Sequence, residues 1–407
     1  MGPFRRTLRC DRPEGGAALC ARERGGDEQI QQWNDPIAAL GWLGEQLNLH
    51  PVDVPGPPFK GGWVGFIGFD AGRLFESLPA RAQDDLAVPW FELHFFDSLD
   101  ACDHAGRIFA IDLEEGERPD KSAPTTPFVG GDAPLMSNFT AQEYQQAVMR
   151  VIEYIRAGDV FQVNLAQRFT VGLGARYPSE IYLRLLDEHP AWYGAFFQTA
   201  EYALLCNSPE LFLRVRPGAQ GRRITTRPIK GTRPLGSGMR EALAHSAKDL
   251  AELNMIVDLE RNDLGRVCKI GSIRVTEPRV IEAHPTVYHG AATIEGTLRG
   301  DVTLVDLLRA TFPGGSVTGA PKIRAMQIID ELEPVQRGPY CGAIGYFSVD
   351  GHIELNVAIR TMIVERGRVH MPVGGGIVAD SNPMAEYEET LVKARAMFAA
   401  LDVTEPY

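Results

Sequence analysis

Apolar residues recur at three- and four-residue steps behind Thr140. Tyr144, Val148, Val151, Ile152 and Ile155 fall on one stripe of a helix. Thr140-Ala141-Gln142-Glu143 is a capping-box sequence, in which the threonine hydroxyl accepts from an early amide and the glutamate reaches back. Gly158 is placed to end that helix. Further helical patterns cover about residues 239–263, 320–332 and 383–401. Strand patterns occupy residues 161–169, 202–206, 211–215, 341–349 and 354–364. The strands come in neighbouring runs rather than one per helix. That order predicts an α+β architecture of large, mostly antiparallel sheets with helices outside.

The amino-terminal part reads differently. Residues 1–30 are rich in Arg and Gly and are expected to be poorly ordered. Residues 31–113 form a β-rich region, with strand patterns at Trp90–Phe96 and Arg107–Ile111. Residues 114–138 are charged, then rich in Pro, Thr and Gly, which predicts a linker or surface loop. Residues 139–407 form the larger second region.

A net charge of −12 argues against a general nucleic-acid role. A chain this acidic can hold an anion only through a local cluster of cations or a metal. Cys10, Cys20, Cys102, Cys206, Cys268 and Cys341 include no C-x-x-C pair. Reduced thiols in a cytoplasmic protein are the simplest account. No apolar run is long enough to span a membrane and no targeting segment is evident, so no membrane partner is expected.

Lys230 stands between a proline-fixed strand end, Pro228, and Gly231. It is either a surface lysine in a turn or an amine held in a dry pocket. There its ammonium would be disfavoured and the free amine could act as nucleophile or base. On the last helix Glu386, Glu389 and Lys393 share one face. Two carboxylates one turn apart suit a hard cation such as Mg²⁺, or simply form a solvated, ion-paired surface. Gly374, Gly375 and Gly376 precede that helix. They let amides approach an anion, or mark a tight turn. Glu252 lies among many charges that could pair with one another. Phe312–Lys322 is a turn of glycines and hydroxyls suited to a small anion, without the order of a Walker loop.

In order and spacing, Phe161–Arg168, Ser208–Phe212, Arg227–Arg233, Ser246–Arg266, Phe312–Met326, Gly338–Tyr346, Ile359–Thr361 and Gly374–Thr390 resemble the chorismate-utilising enzymes. The resemblance spans roughly residues 137–400 and makes 139–407 the chorismate-binding catalytic region. Phe59–Phe66 through Arg73 is similar to the amino-terminal half of the aminodeoxychorismate-forming branch. The first 50 residues match poorly.

The resemblance implies two large sheets packed face to face. It implies that Glu252 and Glu389 hold Mg²⁺ against the ring carboxylate of chorismate, with Glu386 as ligand or support. Arg360, Tyr340, Lys393 and the amides of Gly374–Gly376 would take the enolpyruvyl carboxylate, while Thr232, His289 and Thr318 complete the pocket. Glu210 would be the general acid at the departing 4-hydroxyl. Gln162 stands where isochorismate- and salicylate-forming relatives carry a water-activating lysine, which disfavours water addition. Lys230 stands where anthranilate synthases carry alanine. It would attack C2 before ammonia adds at C4, giving 4-amino-4-deoxychorismate for folate biosynthesis.

No Gly-x-Cys-x-Gly elbow is present, and Tyr407 follows closely on the last helix. Ammonia is therefore expected from a separate glutamine amidotransferase subunit. The competing readings are an anthranilate synthase component and a catalytically silent chorismate-binding paralogue.

Overall fold

The computed structural model describes residues 6–22, 28–47, 56–113 and 130–405. Among them, two large antiparallel sheets carry the architecture. The twelve-stranded sheet runs in the order 229–234, 287–297, 223–227, 211–216, 353–356, 343–348, 62–67, 91–96, 6–10, 17–22 and 28–33, with 274–283 also paired to 287–297. The seven-stranded sheet runs 193–198, 202–208, 361–365, 368–377, 162–172 and 319–320, with the short 136–137 strand also on 162–172. The α+β expectation holds.

The sheets meet face to face through aromatic and aliphatic side chains. Phe66 and Ile344 of the larger sheet share a buried cluster with Tyr202, Leu204 and Ile363 of the smaller. The Phe66 ring stands edge-on to Phe197 at 5.9 Å and to Tyr202 at 6.0 Å. On its other face the smaller sheet packs against helices Pro178–Glu188 and Pro383–Ala400, with Phe169 edge-on to Phe398 at 5.1 Å. Helices Pro36–Glu45, Ala247–Gly265 and Leu304–Thr311 bury Leu43, Leu253 and Leu308 in the cluster that contains Ile294 and Phe347.

The capping box forms as the sequence predicts. Thr140 Oγ1 accepts from the Glu143 amide at 3.2 Å, the Glu143 carboxylate accepts from the Thr140 amide at 2.7 Å, and Gly158 closes helix Ala141–Ala157 in the left-handed conformation. Elsewhere the chain departs from the pattern. Residues 6–10 and 17–22, expected to be poorly ordered, are strands of the large sheet, and Leu8 and Cys10 are fully buried. Their short Arg- and Gly-rich runs obscured the alternation. The expected 239–263 helix is two helices, Met239–Ala244 and Ala247–Gly265, because the Ser246 side chain caps the second by accepting from the Asp249 amide. The expected 354–364 strand breaks at 357–360, where Arg360 takes φ 52°.

The large sheet also ignores the boundary expected at 114–138. Strand Gly62–Ile67 pairs with Ala343–Ser348 over six residues, so the early β-rich region and the later one share a single sheet. Residues 114–129 of that expected loop lie outside the described residues, while Met136 and Ser137 pair with Thr170 and Phe169. Among the described residues no helix is long and apolar enough to cross a membrane.

One buried ion pair joins the parts that frame the cleft between the sheets. The Arg337 guanidinium donates to both Glu333 oxygens, at 2.9 and 2.6 Å. It also donates to Val317 O at 2.9 Å and Asn164 O at 2.8 Å, and it lies 4.5 Å over the Phe69 ring. Glu333 in turn accepts from the Ala166 amide at 2.9 Å. Helix end, central strand and the 315–318 turn are thereby fixed to one another. Removing one partner of such a pair leaves the other charge buried and uncompensated. Arg337→Met is expected to lower unfolding free energy by about 3–5 kcal/mol, read from urea denaturation midpoints; a midpoint within error of the parent would show that the clamp carries no stability.

Candidate active site

The site gathers Lys230, Glu210, Glu252, Glu389 and Lys393, whose charges act on one another. Lys230 enters it from strand Ile229–Pro234, just after Pro228 and before Gly231, which has φ 82°. The Lys230 Nζ donates to Ser316 O at 3.3 Å. Burial pushes its pKa down, while the facing carboxylates of Glu252, Glu210 and Glu389 oppose that fall and Lys393 adds to it. Lys230 is therefore the pocket lysine and not the surface one.

Glu210 precedes strand Leu211–Arg216 and is 4% exposed. Its Oε1 is buried without a hydrogen-bond partner. Burial lifts its pKa to about 7, and the nearby Ser316 hydroxyl, Lys230 and the Ile229 amide restrain the rise. The Ser316 hydroxyl is close enough for that electrostatic effect but falls short of hydrogen-bond geometry. A carboxyl whose pKa lies near neutrality thus stands beside an amine of depressed basicity.

Opposite them lies an acidic group with its own cation. Glu386 is buried and accepts from Ser381 Oγ at 2.7 Å. Burial raises its pKa, and Glu389 adds to the rise. Glu389 is exposed, paired with Lys393 at 2.6 Å, and that ammonium lowers its pKa. Lys393 also donates to Gly374 O at 2.8 Å. Glu252 faces Lys230 and pairs loosely with Lys248 at 3.9 Å; burial raises its pKa.

The three glycines differ from expectation. They lie within strand Arg368–Ile377, paired with Ala166, Leu165 and Asn164, and not in a turn at the helix start. Gly375 is the one that opens space for a ligand. A Cβ there would stand 3.4 Å from Lys393 Nζ, 3.5 Å from Glu386 Oε2 and 3.7 Å from Glu389 Oε1. At Gly374 a Cβ would run into Leu165 O at 2.5 Å, so that glycine serves the sheet itself.

The remaining expected residues fall into two groups. Arg360, His289 and Tyr340 lie close enough for Arg360 to act on His289 and for Tyr340 to act on Arg360. Arg360 donates to the Lys393 carbonyl, and its left-handed backbone turns the side chain out of the strand line. His289 Nδ1 bonds Thr232 Oγ1 at 2.9 Å, and burial with His284 and Arg360 nearby pushes its pKa down to about 3, so it is neutral. Tyr340 is buried beside Arg337, and its phenol acts electrostatically on Arg360. Gln162 is fully buried, lies 3.1 Å from where a Gly376 Cβ would be, and leaves both amide atoms unpartnered. By contrast, Thr232 has an exposed backbone position, and Thr318 turns its hydroxyl back onto Gly314 O at 3.0 Å.

The 312–322 loop of glycines and hydroxyls was expected to suit a small anion. It presents carbonyls instead. Ser316 O accepts from Lys230, Val317 O from Arg337 and Thr318 O from the Asn164 amide. Ser316, Arg337 and Glu333 are the site residues that sequence reasoning missed. The first lay inside a motif already singled out; the other two carried no local signal.

An anion could thus find Lys230, Lys393 and Arg360 around a space bounded by Gly375, with Glu252, Glu386 and Glu389 offering oxygens to a hard cation. Among the described residues, no group of three or more His, Cys, Asp or Glu side chains could hold a metal alone. An oxygen-only, incomplete donor set fits Mg²⁺, which takes one or two protein carboxylates and completes its shell with substrate oxygens or water.

Comparison with known proteins bears on this pocket. The family model described as "chorismate binding enzyme" matches residues 22–399. The chain is 41% identical over 384 residues to aminodeoxychorismate synthase component 1 of Klebsiella aerogenes, covering 90% of this chain and 83% of that protein. It is 40% identical over 395 residues to anthranilate synthase component 1 of Thermus thermophilus, covering 91% and 83%. The crystal structure of anthranilate synthase component I from Streptococcus pneumoniae superposes with a TM-score of 0.80 at 30% identity, covering 98% of this chain and 90% of that one.

The two inner glycines separate fold from site. Gly375→Ala is expected to keep stability within about 0.5 kcal/mol yet weaken binding of an anionic ligand, whereas Gly374→Ala should destabilise the sheet. Melting curves and chorismate titration of both variants check this; equal melting losses would refute the distinction.

Proposed function

The chain belongs to the chorismate binding enzyme family, and within it we propose that it joins ammonia to chorismate, giving 4-amino-4-deoxychorismate for p-aminobenzoate and folate biosynthesis. The observation that carries this reading is Lys230, a half-buried amine of lowered pKa facing a buried, half-protonated Glu210. The likeness to aminodeoxychorismate synthase component 1 supports it, and the nearly equal likeness to anthranilate synthase component 1 is the reason it needs a test.

The Lys230 amine attacks C2 of the ring, both ring double bonds shift by one position, and the C4 hydroxyl leaves as water with the Glu210 proton. Ammonia then adds at C4, both double bonds shift back, and the Lys230 amine departs from C2. The new C4 ammonium returns a proton to Glu210, so the cycle consumes one chorismate and one ammonia and releases one water. Arg360 and Lys393 bind and orient the anionic side chain. Neutral His289 adds no charge to the wall it shares with Arg360. Gln162 offers an amide where water activation would need a base. Glu252, Glu386 and Glu389 would hold Mg²⁺, which when bound neutralises the ring carboxylate. Ammonia would come from a separate glutamine amidotransferase subunit, and the cytoplasm is the compartment consistent with that supply.

Incubation with chorismate, Mg²⁺ and ammonium is expected to yield a non-aromatic amino product without pyruvate. A fluorescent aromatic product with pyruvate release would assign the anthranilate reaction instead. Lys230→Ala should abolish the amino product while leaving the melting temperature in place. Glu210 acts in its protonated form, whose pKa burial has raised, so activity should be lost as pH rises through the neutral range. Glu210→Gln should cost roughly 10²–10⁴-fold in kcat and remove that falling limb.

A further inference from the structure

A stack of three rings runs from the protein surface to the site, and only its innermost member has a place in the reaction above. Trp192 is 55% exposed and lies in the connection between helix Pro178–Glu188 and strand Tyr193–Gln198. Its indole stands 4.4 Å from the His284 ring, at an interplanar angle of 36°. His284 meets His289 edge to face, at 4.8 Å and 74°. His289 Nδ1 in turn bonds Thr232 Oγ1 at 2.9 Å, on the strand that carries Lys230. The outermost ring is open to solvent, while both imidazoles are buried.

The outer two rings are held from outside the site. The Asn207 side-chain amide donates to His189 O at 2.6 Å and the Asn356 amide to Tyr193 O at 2.8 Å. The segment around Trp192 is thus tied to strands Tyr202–Ser208 and Ile353–Asn356. His284 opens the turn between strands Arg274–Ala283 and Val287–Thr297, and its backbone amide donates to Val287 O at 2.8 Å. Its Nε2 lies 3.7 Å from the Glu282 carboxylate, without a hydrogen bond, and Arg227 already engages that carboxylate at 2.6 Å. With Nε2 unbonded, packing sets the plane of this ring, and Trp192 is the large side chain stacked on it.

His289 needs such support. A histidine ring turns about its last side-chain bond between two broad orientations. A half-turn would exchange Nδ1 with a carbon and break the Thr232 bond. One hydrogen bond between neutral groups holds that choice weakly. An edge-to-face neighbour adds a second restraint.

We propose that Trp192 and His284 are positioning residues: the stacked rings hold His289 in the one orientation that meets Thr232, so the pocket presents the same imidazole edge to chorismate in every turnover. The proposal rests on the reading of His289 as part of the chorismate pocket. Trp192 and His284 supply no group to the reaction and act only through His289. Because the indole is more than half exposed, its removal loosens the stack with little loss of packing.

The test uses the full chain with nitrogen-15 in its histidine rings, as parent, Trp192→Ala, Trp192→Phe and His284→Ala. The His289 ring signals, assigned by their loss in His289→Gln, are recorded by nuclear magnetic resonance without substrate. The parent and Trp192→Phe should share one set of signals. Trp192→Ala and His284→Ala should shift or split that set as the ring samples both orientations. In parallel, kcat/KM for chorismate with Mg²⁺ and ammonium should fall roughly 10–10²-fold in both alanine variants and hold within about twofold in Trp192→Phe. His289 signals that match the parent in both alanine variants, or that change while kcat/KM stays in place, would overturn the proposal. A side chain that merely packs would lower the melting temperature and leave those signals alone. Absence of chorismate consumption by the parent would sink the reaction assigned to the chain, while the spectra would still decide whether the stack orients His289.

Discussion

Loss of water around one amine is the constraint from which the site follows. An ammonium taken out of water is costly unless carboxylates stand close by, and carboxylates so placed become harder to ionise themselves. Lys230 and Glu210 are caught in that exchange. Burial lowers the basicity of Lys230 and raises the pKa of Glu210, while the carboxylates of Glu252 and Glu389 oppose the fall at Lys230. The result is an amine of lowered basicity beside a carboxyl whose pKa is raised to about 7.

The fold creates that dryness by architecture more than by any one residue. Two antiparallel sheets pack against each other through Phe66, Phe197 and Tyr202. The clamp of Arg337 on Glu333, Val317 and Asn164 holds the floor of the cleft so that Ser316 O meets Lys230. A Cβ on Gly375 would meet Lys393, Glu386 and Glu389 at ordinary contact distance, so the glycine leaves a little room beside them. An acidic chain thereby presents a small positive wall of Lys230, Lys393 and Arg360 to an anionic ligand.

Much of this was legible in the chain. The capping box at Thr140, the helical stripe behind it and the carboxylate spacing on the last helix are local signals, and local signals survive into the fold. The α+β class followed from the grouping of strands. What escaped depended on contacts between distant segments. The early strands at 6–10 and 17–22 are ordered because a long sheet pairs them, and their own composition hides this. The glycines at 374–376 read as an anion-approaching run or a tight turn before the helix, yet they lie inside a strand, where close approach of the neighbouring strand requires only Gly374. The 312–322 loop read as suited to a small anion, yet its Ser316 and Val317 carbonyls accept from cations, a direction that sequence does not encode. Arg337 and Glu333, which hold the cleft, are unremarkable residues in a loop until the fold brings Asn164 and Val317 to them.

The claim on which all of this turns is that the Lys230 amine bonds to the ring. Enzyme incubated with chorismate and Mg²⁺, without ammonia, and quenched for peptide mass spectrometry tests it directly. The account predicts that the peptide containing Lys230 gains the mass of chorismate less one water. An unmodified Lys230 peptide, in a preparation that forms aminodeoxychorismate once ammonium is supplied, would contradict it.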